Sequence, residues 1–200
     1  MDNTVGSLTQ LQYSVIIGSI LGDGYVRIVP GRKDAFLEIN HSIKAKAYVD
    51  WKYGVLKNIC VSPPKERKSG EEERRAYRFF TKQHPDITAL LHTFYKNGRK
   101  TIPRDLPLNP LILAVWFMDD GSKSRKHDVY LNTQQFSMKE QNILLHHLRN
   151  MGLRARLNKD KQYHRIRFLK ESIPVLHALI TPHVIPSMRY KLSNDPVETC

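Results

Sequence analysis

Two apolar runs of helical length, IIGSILGDG at Ile16–Gly24 and LAVWFMDDG at Leu113–Gly121, each stop at an acidic residue followed by glycine. Both are apolar around most of the helical circumference, which predicts burial on several sides. The first helix is read as Leu11–Leu21, opened by a Thr-x-x-Gln capping box at Thr9 and Gln12 and closed by Gly22, Asp23 and Gly24. The second is read as Leu111–Met118, with Asn109 as N-cap and Pro110 as first helical residue.

β-type sequence follows each helix. Tyr25–Val29, Ala35–Asn40 and Ala76–Phe80 carry branched and aromatic residues in the first half, with Pro30 and Gly31 marking a turn. Val129–Thr133, Ala155–Asn158 and Arg165–Leu169 play the same parts in the second. Helices are expected at Ile43–Ile59, Ile87–Lys96, Lys139–Met151 and Ile173–Leu179, with Ser137 and Glu140 as another capping box. Each half therefore reads αββαββα, an α+β class.

The repeat extends to single residues. Phe80, Thr81 and Lys82 precede an apolar helix with Leu90, Leu91 and His92, and Phe168, Leu169 and Lys170 precede one with Leu176 and His177. Turn formers in NGRKTIPRDLP divide the chain into a half at 1–98, a linker at 99–108 and a half at 109–200.

Charge narrows the partner. The 32 Lys+Arg against 19 Asp+Glu give a formal net charge of +13, a surface suited to a polyanion such as nucleic acid. No apolar run has membrane-spanning length. The N-terminus MDNTVGSLTQ resembles neither a secretory signal nor a transit peptide, so an intracellular protein is expected, in prokaryotic cytoplasm or made inside the organelle where it works. Cys60 and Cys200 form no Cys-x-x-Cys pair, so neither a disulfide framework nor a thiolate zinc site is indicated.

The terminal aspartates of the two runs, Asp23 and Asp120, lie 120 − 23 = 97 positions apart in a chain of 200. Paired carboxylates on a basic protein point to a metal-dependent phosphodiesterase. Gly18 and Gly22 give the first helix a small face that permits close approach of another helix. Two carboxylates brought together at helix ends repel unless a cation lies between them. Mg²⁺, or Mn²⁺ in its place, suits carboxylate, water and phosphate oxygens.

On these motifs, together with VWFMDDGS at Val115–Ser122 and IPSMRYKL at Ile185–Leu192, the chain resembles the LAGLIDADG homing endonucleases of the two-motif, single-chain, intron-encoded type. The resemblance implies two pseudo-symmetric halves, motif helices packed at the centre, and antiparallel sheets forming a saddle on double-stranded DNA. It implies a monomer that cuts both strands of a long target, leaves short 3′ overhangs, and holds metal at Asp23 and Asp120. Lys82 and Lys170 stand where the family often carries its lysine. His41 and Gln135 are the polar strand-end candidates, with Asn40 and Gln134 one register away. Val115 replaces the family's usual glycine. Asp119 adds an acid that is outward-facing, behind the ligand, or the ligand itself in a shifted register; Asp120 is preferred because it aligns with Asp23.

Alternation assigns the nucleic-acid surface. Arg165 and Arg167 alternate with Ile166 and Phe168, and Arg154 and Arg156 with Ala155 and Leu157. Arg27, Glu38, Asn40 and Arg78 are the first-half equivalents, joined by Arg32 and Lys33. Lys65, Arg67, Lys68, Arg74 and Arg75 flank the acidic Glu71–Glu73 in an expected hairpin tip. Lys123, Arg125 and Lys126 are expected in a loop beside the scissile phosphates, positioning backbone rather than reading bases. An RNA maturase acting on intron RNA, or a non-catalytic DNA-binding regulator, is the alternative; retention of both aspartates favours cleavage.

Overall fold

The computed structural model describes residues 6–68, 75–125 and 128–192, and the side chain of Arg125 lies outside that description. The chain divides into two units, Met1–Thr93 and Phe94–Cys200.

The first unit opens with α1 (Gln10–Leu21), whose N-terminus is closed by the expected Thr9–Gln12 capping box. Val15 to Leu21 are all buried, as a largely apolar circumference requires. Strands β1 (Tyr25–Ile28) and β2 (Ala35–Ser42) follow, then α2 (Lys46–Leu56), β3 (Lys65–Lys68), β4 (Arg75–Phe80) and α3 (Pro85–Phe94). The strands form one antiparallel sheet in the order β1-β2-β4-β3. The helix expected over Ile43–Ile59 is α2 flanked by single 3-10 turns at Ile43–Ala45 and Lys57–Ile59. Gln12 ties α1 to the end of α2: its Nε2 donates to the Asn58 Oδ1 (2.6 Å) and to the Val55 carbonyl (3.3 Å).

In the second unit a small hairpin, β5 (Tyr95–Lys96) with β6 (Arg99–Lys100), occupies the expected break. Its turn residues Asn97 and Gly98 both have positive φ, 51° and 74°, which is the requirement of a tight hairpin turn and the reason for an Asn-Gly pair. Then come α4 (Pro110–Asp120), β7 (Gly121–Arg125), β8 (Asp128–Leu131), α5 (Met138–Asn150), β9 (Ala155–Asp160), β10 (Tyr163–Phe168) and α6 (Ile173–Ile180). The sheet order is β7-β8-β10-β9, antiparallel throughout. Substituting element for element, this is the order of the first sheet, so the two units share one α+β topology, the αββαββα expected from sequence.

The same hydroxyl device recurs where each sheet's inner strands diverge. Thr81 Oγ1 accepts from the Leu37 N–H at 2.9 Å, and Thr133 Oγ1 accepts from the Ile166 N–H at 3.2 Å. In the second unit the buried Gln141 extends it, accepting from Thr133 Oγ1 (2.9 Å) and donating to the carbonyls of Phe136 (3.0 Å) and His164 (3.1 Å). Every polar group of that amide is thereby satisfied inside the core, as burial demands.

Candidate active site

At the end of α1 the chain turns through glycine. The Gly22 N–H donates to the carbonyls of Gly18 and Ser19, and the Gly24 N–H to Ser19 at 2.7 Å. A Cβ on Gly24 would sit 2.8 Å from the Ser19 carbonyl oxygen, so the tight approach needs glycine. This turn lifts Asp23 out of the buried helix with half of its side chain (50%) exposed.

Strand β2 brings a partner to it. Alternation sends Leu37, Ile39 and His41 to the inner face and Glu38 and Asn40 to the outer face. His41 Nδ1 lies 3.6 Å from Asp23 Oδ2, while the His41 side chain is only 10% exposed. The ring of His41 also meets Tyr48 of α2, with centroids 5.4 Å apart, and the fully buried Lys52 ammonium lies 4.4 Å from the Tyr48 ring centroid. Carboxylate oxygen and imidazole nitrogen are both ligand types for a divalent transition metal. Cis ligands on an octahedral ion of Mg²⁺ size lie about 3 Å apart. At 3.6 Å the two groups can share one cation, or one bound water, between them.

In the second unit α4 continues through Asp119 and Asp120, both partly exposed, and the Gly121 N–H closes it on the Phe117 carbonyl. A Cβ on Gly121 would meet that carbonyl oxygen at 2.3 Å. The strand starts at once: Gly121 pairs with Leu131, and the Asn132 N–H donates to the Asp120 carbonyl at 3.0 Å. Asn132, not named from sequence, is thus the residue across from Asp120. Its Oδ1 accepts from Ser122 Oγ (3.4 Å) and Arg165 Nη1 (3.3 Å). Gln135 lies three residues further on, exposed in the turn that follows, and Gln134 donates to Asp160 at 2.8 Å.

Lys82 and Lys170 each follow the last paired residue of an inner strand, and both are exposed. Lys82 acts on Cys60: burial pushes that thiol up to about 12, and the nearby ammonium offsets part of the effect. Lys123 differs from expectation. Because pairing begins at Gly121 there is no loop, and Lys123, opposite the buried Val129, belongs to the inner face of the sheet. There its charge bears on His177 of α6, whose imidazole is held below its ordinary value first by burial and then by Lys123. Arg125 is in β7 as well. Lys126 and Arg74, with Glu71–Glu73, lie outside the described residues.

The expected basic faces are single faces of the sheets. Arg27, Glu38, Asn40, Arg78, Lys65 and Arg67 share one side of the first sheet by register. Aromatic residues support them: Arg27 stacks on Phe36 (4.8 Å) and Arg78 on Phe80 (5.4 Å), while Arg78 also pairs with Glu38 at 3.9 Å. Arg32 and Lys33 are exposed in the β1–β2 turn. In the second sheet Arg156, Asn158, Arg165 and Arg167 share a face with Tyr130. Arg165 lies 3.9 Å from the Tyr130 ring centroid, and Arg167 donates to Asp128. Arg154, before β9, pairs with Glu171 at 3.2 Å, both well exposed.

Antiparallel sheets of this order, each preceded by a buried helix ending in an acidic turn, define a LAGLIDADG-type fold. The LAGLIDADG DNA endonuclease family matches residues 13–176, and the chain belongs to that family. It is 32% identical to a probable intron-encoded endonuclease 1 of Wickerhamomyces canadensis over 93% of this chain and 85% of that protein. It is 31% identical to the cytochrome b mRNA maturase bI2 of Saccharomyces cerevisiae over 97% of this chain, but only 50% of that protein. The solved homing endonuclease I-WcaI, bound to its DNA recognition sequence, is 30% identical with a TM-score of 0.86, covering 94% of this chain and 88% of that one. I-DmoI in complex with DNA and Ca, at 13% identity and a TM-score of 0.58, shares the fold. Among the described residues no helix is long and apolar enough to cross a membrane.

Proposed function

We propose that the chain is a site-specific endonuclease that hydrolyses one phosphodiester on each strand of a long duplex DNA target, leaving short 3′ overhangs. The observation that carries this reading is the exposed Asp23 carboxylate at a motif-helix end, with the His41 imidazole 3.6 Å away, in a chain with arginine-bearing sheet faces. Two motifs in one chain complete the enzyme as a monomer.

Asp23 and Asp120 are the proposed ligands of divalent metal, Mg²⁺ or Mn²⁺, each serving one strand. A bound cation of this kind supplies a water of lowered pKa and positive charge for the phosphate oxygens. The protein's own groups do the rest. His41 and Gln135 orient water at the attacking side, and Lys82 and Lys170 place positive charge against the developing negative charge on phosphate. Arg27, Arg32, Lys33, Lys65, Arg67, Arg125, Arg154 and Arg156 hold the backbone, whereas Lys123, expected with them, lies on the inner face of its sheet. Arg78, Arg165 and Arg167, with Glu38 and Asn40, face base edges, where arginine pairs bidentately with guanine and asparagine with adenine.

The test is cleavage of a randomised duplex library with Mg²⁺ by wild type, Asp23→Asn and Asp120→Asn. Double-strand cutting of a narrow set of sites, lost in each variant, supports the proposal. The likeness to a protein named as an mRNA maturase favours one second reading, assistance to splicing of intron RNA. Binding of structured intron RNA with no cutting of duplex DNA under any divalent metal would put that reading first.

A further inference from the structure

The face of α5 turned away from its sheet carries a cavity that the proposed function does not use. At about 3.6 residues per turn, Gln141, Leu144 and Leu148 fall on one stripe of the helix, and Lys139, Asn142, Ile143 and His146 on another about half a turn away. The first stripe is buried and packs against β9 and β10, whose covered side bears Ile166 and Phe168. The second stripe therefore lies behind the sheet, remote from the side that carries Arg165 and Arg167. The segment leading into α4 is strapped along the flank of the same helix. Glu140 accepts from the Ile102 N–H at 3.3 Å and from the Thr101 side chain, and His147 Nε2 donates to the Arg104 carbonyl at 2.7 Å. Ile102 and Leu106 of the strap are buried. The backbone of Arg104 is thus fixed, while its side chain stays exposed at the rim of the cavity.

The cavity holds about 390 Å³ and is lined by Arg104, Lys139, Asn142, Ile143 and His146. That lies within the size range of small-ligand sites, roughly 300–1,000 Å³. The lining is two cations, an amide, an imidazole and one aliphatic side chain, with no carboxylate among them. The neighbouring Glu140 is engaged by Ser137, Thr101 and Ile102. The Asn150 amide donates to His146 Nε2 at 3.3 Å, so the neutral ring carries its proton on Nδ1. His147 braces that ring edge to face, with centroids 5.7 Å apart. The two cations suit phosphate, the guanidinium for paired oxygens and the ammonium as a point charge. Phosphate alone leaves Asn142, Ile143 and His146 without a use. A nucleotide uses all five, because its base stacks on an imidazole, packs on an aliphatic group and offers its edge to an amide. A duplex keeps its base faces stacked inside, so the strand that fits is unpaired. We infer that this groove binds one unpaired nucleotide of a nucleic-acid strand, with phosphate on Arg104 and Lys139, base against Ile143 and His146, and base edge on Asn142. It is a second nucleic-acid site, behind the sheet that carries the arginines, and it does not depend on cleavage.

The experiment titrates the full chain with a short fluorescent oligoribonucleotide and the matching oligodeoxyribonucleotide, neither able to pair with itself. An excess of unlabelled duplex DNA keeps the arginine-bearing sheet faces occupied. Anisotropy gives the affinity, and NMR follows the Asn142 side-chain amide and the His146 ring. Strand binding is expected to persist beside the duplex and to move both signals. Arg104→Ala combined with Lys139→Ala should weaken it at least about tenfold and lower its salt slope by about 1.4, from two phosphate contacts at roughly 0.7 each. His146→Ala should weaken it about five- to tenfold through lost stacking. Duplex binding in these variants is expected at the wild-type level, which also reports that they fold. A preference for ribose identifies RNA as the strand served, and equal affinity extends the site to both chemistries; either result supports the inference. Strand binding unchanged in the double variant, abolished by duplex, or matched by an acidic peptide of equal charge would overturn it. So would a parallel loss of duplex binding in variants with wild-type circular dichroism. If no duplex binds, the endonuclease reading fails, and the Asn142 and His146 signals alone decide whether the groove takes a strand.

Discussion

His41 Nδ1 faces Asp23 Oδ2 across 3.6 Å, with the imidazole nearly covered and the carboxylate half open to solvent. The pair is asymmetric by construction: the inner face of β2 holds the ring, and the glycine turn offers the acid outward. Asp23→Asn is expected to slow cutting of one strand at least about a hundredfold while leaving duplex binding intact. His41→Ala should cost less, about ten- to a hundredfold, because it removes a group that orients rather than the charge itself. Strand-resolved single-turnover kinetics beside DNA-binding titrations separate the two. Equal loss of binding and cutting would contradict the assignment.

The glycines after the two motif helices are predicted to be intolerant of a methyl group. Gly121→Ala would drive Cβ to 2.3 Å from a carbonyl oxygen and 2.7 Å from the Phe117 ring, against 2.8 Å for Gly24→Ala. Overpacking of this kind costs about 1–3 kcal/mol. Urea unfolding should show both variants destabilised, Gly121→Ala more.

Gln141→Leu conserves size but takes the acceptor from the Thr133 hydroxyl and the donor from the buried Phe136 and part-buried His164 carbonyls. Leaving such groups unsatisfied costs about 1–3 kcal/mol each before relaxation. A clear fall in the midpoint of chemical unfolding is expected, and a midpoint equal to wild type would show that the network carries no stability.

Stability in acid should register Glu140. Burial pushes its carboxyl up, but hydrogen bonds from the Ser137 and Thr101 side chains and the N–H groups of Ser137 and Ile102 outweigh this, leaving it below its ordinary value. A lowered folded value means that the contribution is present above the unfolded carboxylate range, about pH 4.3, and disappears as pH falls through the folded value. The gap in unfolding midpoint between wild type and Glu140→Gln should be open at neutral pH and close in acid. A gap that widens in acid would refute this.

Much of this architecture was legible locally. Thr9 with Gln12 and Ser137 with Glu140 announce helix starts within four residues, and both capping boxes form as read. Alternation put Arg165 and Arg167 on one face because strand geometry leaves no other choice. Strands made by their partners were invisible: GSKSR in β7 and KERK in β3 are polar throughout, and pairing with β8 and β4 makes them strands. Hence Lys123 looked like a loop residue. Asn132 escaped notice because its place opposite Asp120 is a matter of register. Lys191 went unnamed although it lies in the IPSMRYKL stretch, because only the fold brings that stretch to the Met118 and Asp119 carbonyls.

Two arginines of the second sheet are already occupied before any nucleic acid arrives: Arg167 on Asp128, and Arg165 on Tyr130 and Asn132. Under the proposed reading, an endonuclease that drifts toward a new target site must change such residues in couples. Replacing Arg167 alone leaves Asp128 as a bare negative charge facing phosphate. Arg27, leaning only on the ring of Phe36 among its described partners, carries no such debt. Target preference should therefore wander first at the position read by Arg27, and lag at those read by Arg167 with Asp128 and by Arg78 with Glu38.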